Sequence, residues 1–306
     1  MTSSRAIRQT TRRIFLGAQG LRAGWSILLF AGIFALIFVG FAKLVGHFTH
    51  SPRNVVLHVQ ILYVGEGMAL VSLFAAVCVM SAIERRSPLA FGFQGDAKRV
   101  RFLTGAALGV VAMSFSVLVL VGLHAATLDV RPVQSADLVP ALSWAGGFLL
   151  VGLFEESALR GYLQYTLARG IGFWWSAIAL SILFGAIHGF NANETHVGVL
   201  VAAAFGFVFC MSLWYTGSLF WAIGFHAAWD WTESYLFGAL DSGASVEGHL
   251  FSLHPAGHVL LSGGTVGPEG SIVQIPILAA IALLMKFWWG RRATPVFGMR
   301  RGLQRP

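Results

Sequence analysis

The chain has 306 residues, of which 56% are hydrophobic and only 11% are charged, and its mean hydropathy is +0.72. A soluble globular domain has about 25% charged residues, so this composition excludes that class and predicts an integral membrane protein. The formal net charge is +8. Attraction of basic flanking segments to anionic lipid head groups accounts for that charge, and no nucleic-acid partner is expected.

Eight apolar runs are long enough to cross about 30 Å of hydrocarbon as helices. The sequence therefore predicts an all-α, polytopic membrane protein with about eight transmembrane helices. Their expected positions, in chain order, are Trp25–Leu44, Ile61–Ile83, Phe102–Ala126, Val139–Leu167, Phe173–Phe190, Val197–Trp214, Ser218–Leu236 and Ile272–Trp289.

The basic residues predict how these helices are oriented. If the N-terminus is cytoplasmic, sixteen basic residues lie on the inner side, and two, Arg53 and Arg131, lie on the outer side. This bias follows the positive-inside rule, and an even number of helices places both termini in the cytoplasm. The run from Trp25 is too long for a signal-peptide core, so we expect a retained first helix in a bacterial cytoplasmic membrane. The inner residues are Arg5, Arg8, Arg12, Arg13, Arg22, Arg85, Arg86, Lys98, Arg99, Arg101, Arg169, Arg291, Arg292, Arg300, Arg301 and Arg305.

Polar residues divide the chain unevenly. Residues 1–24 form a basic N-terminal tail, and residues 25–137 contain three helices with few polar groups apart from Glu66. Nearly all embedded polar groups fall in residues 138–236, which contain helices four to seven. Residues 237–306 comprise an outer loop, the last helix and a basic C-terminal tail. We expect the loop to be flexible and its His249, His254 and His258, at irregular spacing, to be solvated.

The first pattern is Glu155-Glu156-x-x-x-Arg160 in the fourth predicted helix. An ionisable group at membrane depth costs several kcal/mol unless it has a partner or faces a wet cavity. Glu156 and Arg160 lie one turn apart and can pair, whereas Glu155 points about 100° away around the helix. This spacing predicts one structural and one reactive carboxylate. The alternative is a purely architectural polar cluster.

Two further patterns place imidazoles in the fifth and seventh helices. In Phe184-x-x-x-His188, the imidazole is flanked by Gly185 and Gly189, small residues that allow a neighbouring helix to approach closely. His226-x-x-x-Asp230 places an imidazole and a carboxylate on one helix face, where the carboxylate can orient the ring. Glu233 follows one turn later in the same helix.

Helix geometry allows the three patterns to meet. At 1.5 Å per residue, Glu155, His226 and His188 lie roughly 9, 12 and 22 Å from the inner face. Helix ends and tilt shift each depth by about 5 Å. A shared layer within the membrane is therefore compatible with the sequence.

These three motifs, in this order on successive membrane helices, resemble the CPBP family of intramembrane proteases, which includes the CAAX prenyl endopeptidases and the bacterial Abi proteins. The resemblance covers about Val139 to Leu236. It implies an endopeptidase core in which Glu155 and His188 activate water. It also implies that His226 and Asp230 hold the scissile carbonyl or its oxyanion.

Asp230 departs from family members that have asparagine at this position. An amide donates a hydrogen bond at any pH, whereas an aspartic acid donates only when it is protonated. Glu155, His188, His226 and Asp230 also form a residue set that could bind Zn²⁺ with an open water position. No His-Glu-x-x-His motif is present, so both zinc-assisted and glutamate-dependent hydrolysis stay open, with a slight preference for zinc. No sequence motif for a nucleotide or organic cofactor is found.

The sequence thus predicts an intramembrane endopeptidase, with catalytic residues Glu155, Glu156, Arg160, His188, His226 and Asp230. Its expected partner is a membrane-associated peptide or protein, CAAX-like or other, and the oligomeric state is left open. One alternative is a non-catalytic scaffold or bacteriocin-immunity protein that binds a membrane peptide. A transporter would also bury such residues, but the chain lacks a paired repeat of broken helices.

Overall fold

The computed structural model describes residues 14–17, 20–46, 56–191 and 194–290, and the described chain is mostly helical. The helices are α1 (Ala23–Gly46), α2 (Val59–Glu84), α3 (Lys98–Gly122), α4 (Leu138–Glu156), α5 (Gln164–Ile171), α6 (Phe173–His188), α7 (His196–Thr216), α8 (Phe220–Asp230), α9 (Val259–Ser262) and α10 (Gln274–Trp289). Short 3₁₀ turns occur at Pro88–Ala90, Ser135–Asp137 and Pro268–Gly270. The strands are β1 (Leu16–Gly17), β2 (Gly20–Leu21), β3 (Val56–Leu57), β4 (Ala126–Asp129), β5 (Ser245–Val246) and β6 (Ser252–Pro255).

A helix lies at each of the eight predicted positions. Within the described ranges, five helical segments are long and apolar enough to cross a membrane: α1, α2, α3, the segment Ser135–Ile171, and α7. Helices α6 and α10 are apolar but shorter. The predicted count of eight spans and the cytoplasmic placement of both termini therefore stay predictions. The sequence also did not predict the six short strands.

Large apolar side chains cover the outside of the helical bundle. Leu36 on α1, Phe74 on α2, Leu118 on α3 and Phe287 on α10 are each at least 66% exposed. Such a surface is unfavourable in water but suits contact with lipid tails, where apolar side chains need no burial.

Two helices widen into a π-helical segment directly after a motif carboxylate. Helix α4 passes at Glu156 into the π-helical segment Ser157–Leu163, in which Gly161 leaves the helical conformation (φ −81°, ψ −110°). Helix α8 passes at Asp230 into the π-helical segment Trp231–Leu236. Single π turns within α-helices occur frequently at functional sites because they redirect the side chains around them.

Helix α8 lies in the interior, held against α3 through glycines on both helices. A Cβ atom added to Gly105 of α3 would lie 2.2 Å from the carbonyl oxygen of Trp221. One added to Gly224 of α8 would lie 2.2 Å from the carbonyl oxygen of Phe102. The two backbones therefore touch, as small residues permit in membrane helices. This contact fixes the position of His226 and Asp230, one and two turns further along α8.

Residues 237–270, called the cap segment below, are folded over the helix ends, and the expectation of a flexible loop was wrong. Strand β5 pairs in parallel with β3, and β6 pairs antiparallel with β4. Val246, Leu253 and Val266 of the cap segment are buried. Apolar residues spaced irregularly along a Gly- and Ser-rich stretch give no periodic signal, so the sequence did not show this packing.

At the helix ends opposite the cap segment, the carboxylate of Glu84 on α2 links neighbouring helices. Glu84 Oε1 accepts hydrogen bonds from the hydroxyl groups of Ser26 (2.8 Å) and Tyr162 (3.0 Å) and from the guanidinium of Arg169 (2.9 Å). Through Ser26, this carboxylate attaches α1 to the bundle, together with the buried Phe30, which stacks on Tyr162.

Candidate active site

Glu156 joins the first and third sequence motifs. Its Oε1 atom accepts a hydrogen bond from Arg160 Nη1 at 3.0 Å, and both side chains are 0% exposed. The same oxygen lies 3.1 Å from Nδ1 of His226. Because the carboxylate can only accept, the ring donates from Nδ1 and leaves Nε2 for other contacts. Glu156 therefore orients the imidazole, a role that the sequence motif alone did not reveal.

Arg160 lies between two aromatic rings. Its Cζ atom is 4.4 Å from the ring centroid of Phe184, the first residue of the second motif, and 5.4 Å from that of Phe209. Phe209 also stacks on His226 with a centroid distance of 5.3 Å. Aromatic faces attract a guanidinium, and a desolvated contact of this kind contributes about 2 kcal/mol. The two rings thus help to hold a fully buried charge and join the three motifs into one cluster.

The free nitrogen of His226 faces two carboxylates. Its Nε2 atom lies 3.8 Å from Oε2 of Glu155 and 3.6 Å from Oδ2 of Asp230. These distances exceed those of direct hydrogen bonds but leave each oxygen able to share a small ligand with the ring. Glu155 is half-buried, and its Oε2 has no hydrogen-bond partner among the described residues. It therefore has the freedom predicted for the reactive glutamate.

His188 lies at the end of α6 and lines the same cavity as His226. Its Nδ1 atom donates a hydrogen bond to the carbonyl oxygen of Phe184 at 2.8 Å. Because a carbonyl can only accept, the Nε2 atom of the neutral ring has the free lone pair. Gly185 permits this placement, since a Cβ atom there would lie 2.5 Å from the carbonyl oxygen of Val199 on α7. No direct contact between His188 and Glu155 is present in the structure.

The cavity has about 30 Å³ of space for the centres of water molecules, which is room for about two waters. Its polar walls are His188, Glu194, His226, Asp230, Ser242 and Glu269, and Phe184, Val201, Phe205, Phe209 and Trp229 contribute apolar surface. The sequence missed Glu194, Ser242 and Glu269, which come from loops outside the motifs. The polar groups on its walls can therefore bind water beside the two imidazoles.

The four residues considered for zinc do not converge as ligands. Among the described residues, one group brings three potential ligand atoms within 4.8 Å of one another, and it consists of Glu233, Asp241 and Glu269. Glu155, His188, His226 and Asp230 do not form such a group, although tetrahedral zinc needs its ligand atoms about 3.3 Å apart. The present geometry therefore does not fit a zinc ion held by these four side chains.

Asp241 and Glu269 form an acidic wall beside the cavity. Burial, followed by repulsion from Glu269, raises the pKa of Asp241 to about 7. Burial is also the main cause of the raised pKa of Glu269, which is partly opposed by a hydrogen bond from Trp229 Nε1 at 2.9 Å. The sequence gave no spacing signal for this wall because its members lie 28 residues apart in the cap segment.

Glu66 and the three loop histidines lie outside the residues that line the cavity. Glu66 of α2 lies half-buried near Glu155, and its Oε2 has no described partner. His249 bonds to Ser252, the ring of His254 lies 3.3 Å from Asp129, and His258 caps α9. His254 and His258 are exposed, as expected for solvated side chains, whereas His249 is only partly exposed.

Comparison with known proteins supports the resemblance that the motifs indicate. Residues 137–232 match the family model described as type II CAAX prenyl endopeptidase Rce1-like. The match covers about a third of the chain and includes all six motif residues, and it confirms the resemblance to the CPBP family of intramembrane proteases. None of the curated proteins compared with the chain matches it. Together with the apolar helices, the family match indicates a multi-pass integral membrane protein.

Proposed function

We propose that this protein is an intramembrane endopeptidase that hydrolyses a peptide bond of a membrane-associated peptide or protein. The observation that carries the proposal is the difference in surroundings between two adjacent glutamates. Glu156 is locked between Arg160 and His226, whereas Glu155 has an unpartnered oxygen 3.8 Å from the free ring nitrogen of His226. A scaffold has no need to bury a reactive carboxylate beside an oriented imidazole.

In the proposed reaction, Glu155 accepts a proton from water as the water oxygen attacks the scissile carbonyl carbon. His188, whose Nδ1 is held by the carbonyl oxygen of Phe184, helps to position the water through its free Nε2. The proton then passes to the amide nitrogen as the C–N bond breaks. The products are a carboxylate and an amine, and Glu155 returns to its ionised form.

His226 and Asp230 are proposed to stabilise the charge on the carbonyl oxygen. Glu156 fixes the ring through Nδ1, and in the proposed mechanism the ring also carries a proton on Nε2 and donates it to a hydrogen bond with the oxyanion. Asp230 lies 3.6 Å from this nitrogen, beside the position where the oxyanion forms. Each step uses protein side chains, since the zinc set does not converge.

We propose that the N-terminus and the basic loops face the cytoplasm of a bacterium. Arg85, Arg86 and Lys98 then lie on the inner side. The cavity lies at the opposite helix ends, beside Glu194 and the cap segment. The substrate would therefore enter from the outer side.

The test is a comparison of membrane peptides from cells that produce the wild type, Glu155→Gln, His188→Ala or Glu247→Gln. Glu247 is the matched control because it is an exposed glutamate of the cap segment, outside the cavity. We expect new peptide termini in the wild type and the control. Loss of a general base reduces the rate by two to four orders of magnitude, so Glu155→Gln and His188→Ala should both lack these termini while the protein still accumulates.

The same experiment distinguishes an enzyme from a scaffold or immunity protein. A scaffold would leave the same membrane peptides in all four strains, and its effect on the cell would survive Glu155→Gln. Wild-type termini in folded Glu155→Gln protein would overturn the proposed reaction.

A further inference from the structure

Three carboxylates meet where the cap segment contacts the end of α8. Ligand atoms of Glu233, Asp241 and Glu269 lie within 4.8 Å of one another. Glu233 comes from the π-helical end of α8, and the other two come from opposite ends of the cap segment. All three lie outside residues 137–232, so the family match does not account for them.

Glu233 is the residue that points to a ligand. Its side chain is 0% exposed, and neither carboxylate oxygen meets hydrogen-bond geometry with a described residue, although the backbone N–H of Glu269 lies near enough to stabilise the charge weakly. No ion pair in the described ranges involves Glu233, Asp241 or Glu269 with lysine or arginine. A buried carboxylate without a partner costs several kcal/mol, and two more carboxylates nearby increase that cost.

Two serine hydroxyl groups and a tryptophan N–H group hold two of the three carboxylates in place, and the serines bring further oxygen atoms close to the cluster. Ser234 Oγ donates to Asp241 Oδ2 at 2.9 Å, and Ser242 Oγ donates to Glu269 Oε2 at 3.2 Å. Trp229 Nε1 donates to Glu269 Oε1 at 2.9 Å. These bonds hold two of the three carboxylates while leaving Glu233 and one oxygen of Asp241 free. Neither cysteine nor histidine belongs to this group, so its oxygen ligands suit a hard cation.

We propose that Glu233, Asp241 and Glu269 bind a divalent cation of the Ca²⁺ and Mg²⁺ class. The cation fastens the cap segment to α8. Glu269 and Ser242 also line the cavity that contains His226 and Asp230, so this ion positions one wall of the candidate active site. The inference goes beyond the proposed hydrolysis and does not depend on it, because binding is measured without a substrate.

The test uses the purified full-length protein in detergent after removal of cations with a chelator. Tb³⁺ replaces Ca²⁺ at oxygen sites and emits light when a nearby tryptophan is excited. Trp229, bonded to Glu269, is placed to sensitise this emission. We expect a saturable signal from one ion per chain that Ca²⁺ or Mg²⁺ displaces. It should be lost in Trp229→Phe but not in Trp175→Phe, which changes an exposed tryptophan of α6.

Ligand variants provide the second measurement. Glu233→Gln and Asp241→Asn should each weaken binding by roughly tenfold or more, because affinity depends on the number of charged ligands. Asp129→Asn, which changes an exposed carboxylate of β4, should bind as the wild type does. Ca²⁺ should also raise the melting temperature of the wild type and of Asp129→Asn, but not that of Glu233→Gln.

Three results would overturn the proposal. They are the absence of saturable binding by the wild type, unchanged affinity in Glu233→Gln, and binding of Zn²⁺ alone. Wild-type binding decides the question even if a ligand variant fails to fold.

Discussion

At the scale of single residues, Glu155 and Glu156 form a matched pair of neighbours with different surroundings. Glu156→Gln removes the negative charge that compensates Arg160, and both side chains are fully buried. Breaking a buried ion pair costs about 3–5 kcal/mol because the remaining charge is left without a partner. We therefore expect a clear drop in melting temperature, measured by thermal unfolding in detergent.

Glu155→Gln is the control for this measurement. It changes the same residue type one position earlier, but Glu155 is half-buried and has no direct hydrogen-bond partner for Oε2. Its melting temperature should stay close to that of the wild type. Equal loss of stability in the two variants would contradict the division into a structural and a reactive glutamate.

Two alternative roles of Asp230 predict opposite effects of the Asp230→Asn substitution. If the residue contributes to the oxyanion site, the amide donates without needing a proton, and partial activity remains. If the residue acts as a metal ligand, the variant loses activity and binds metal about 10–100-fold more weakly. We expect partial activity, because the structure does not bring the zinc set together. Peptide cleavage and metal content, measured on the same preparation, decide between these roles.

At the scale of elements, the close contact of α3 with α8 determines where the third motif lies. Gly105→Ala would place a methyl group about 2.2 Å from the carbonyl oxygen of Trp221, so the helices must separate. Overpacking of this kind costs about 1–3 kcal/mol, and moving α8 would displace His226 from Glu156. We expect both melting temperature and cleavage rate to fall.

Gly122→Ala is the matched control on the same helix. A Cβ atom at Gly122 meets nothing within 4 Å, so alanine should have little effect or stabilise the helix slightly. If the two alanine variants behaved alike, the helix contact would not set the geometry of the site.

At the scale of the whole molecule, the proposed orientation predicts which surfaces face the cytoplasm. In a variant with Cys78 and Cys210 replaced by alanine, Glu247→Cys marks the cap segment and Gln94→Cys marks the loop before α3. Both positions are exposed. A membrane-impermeant maleimide should label Glu247→Cys in intact spheroplasts and Gln94→Cys only after lysis. The reverse pattern would place the cavity on the cytoplasmic side.

The sequence by itself determined the features that depend on neighbours within one helix. Apolar runs predicted the positions of eight helices, and the four-residue spacing predicted the Glu156–Arg160 pair, because both follow from the geometry of a single helix. Only the tertiary structure decided the contacts between helices. The bond from His226 to Glu156, the rings around Arg160 and the packed cap segment join residues far apart in sequence. Such contacts depend on helix rotation, relative depth and loop path, and no local spacing encodes these quantities.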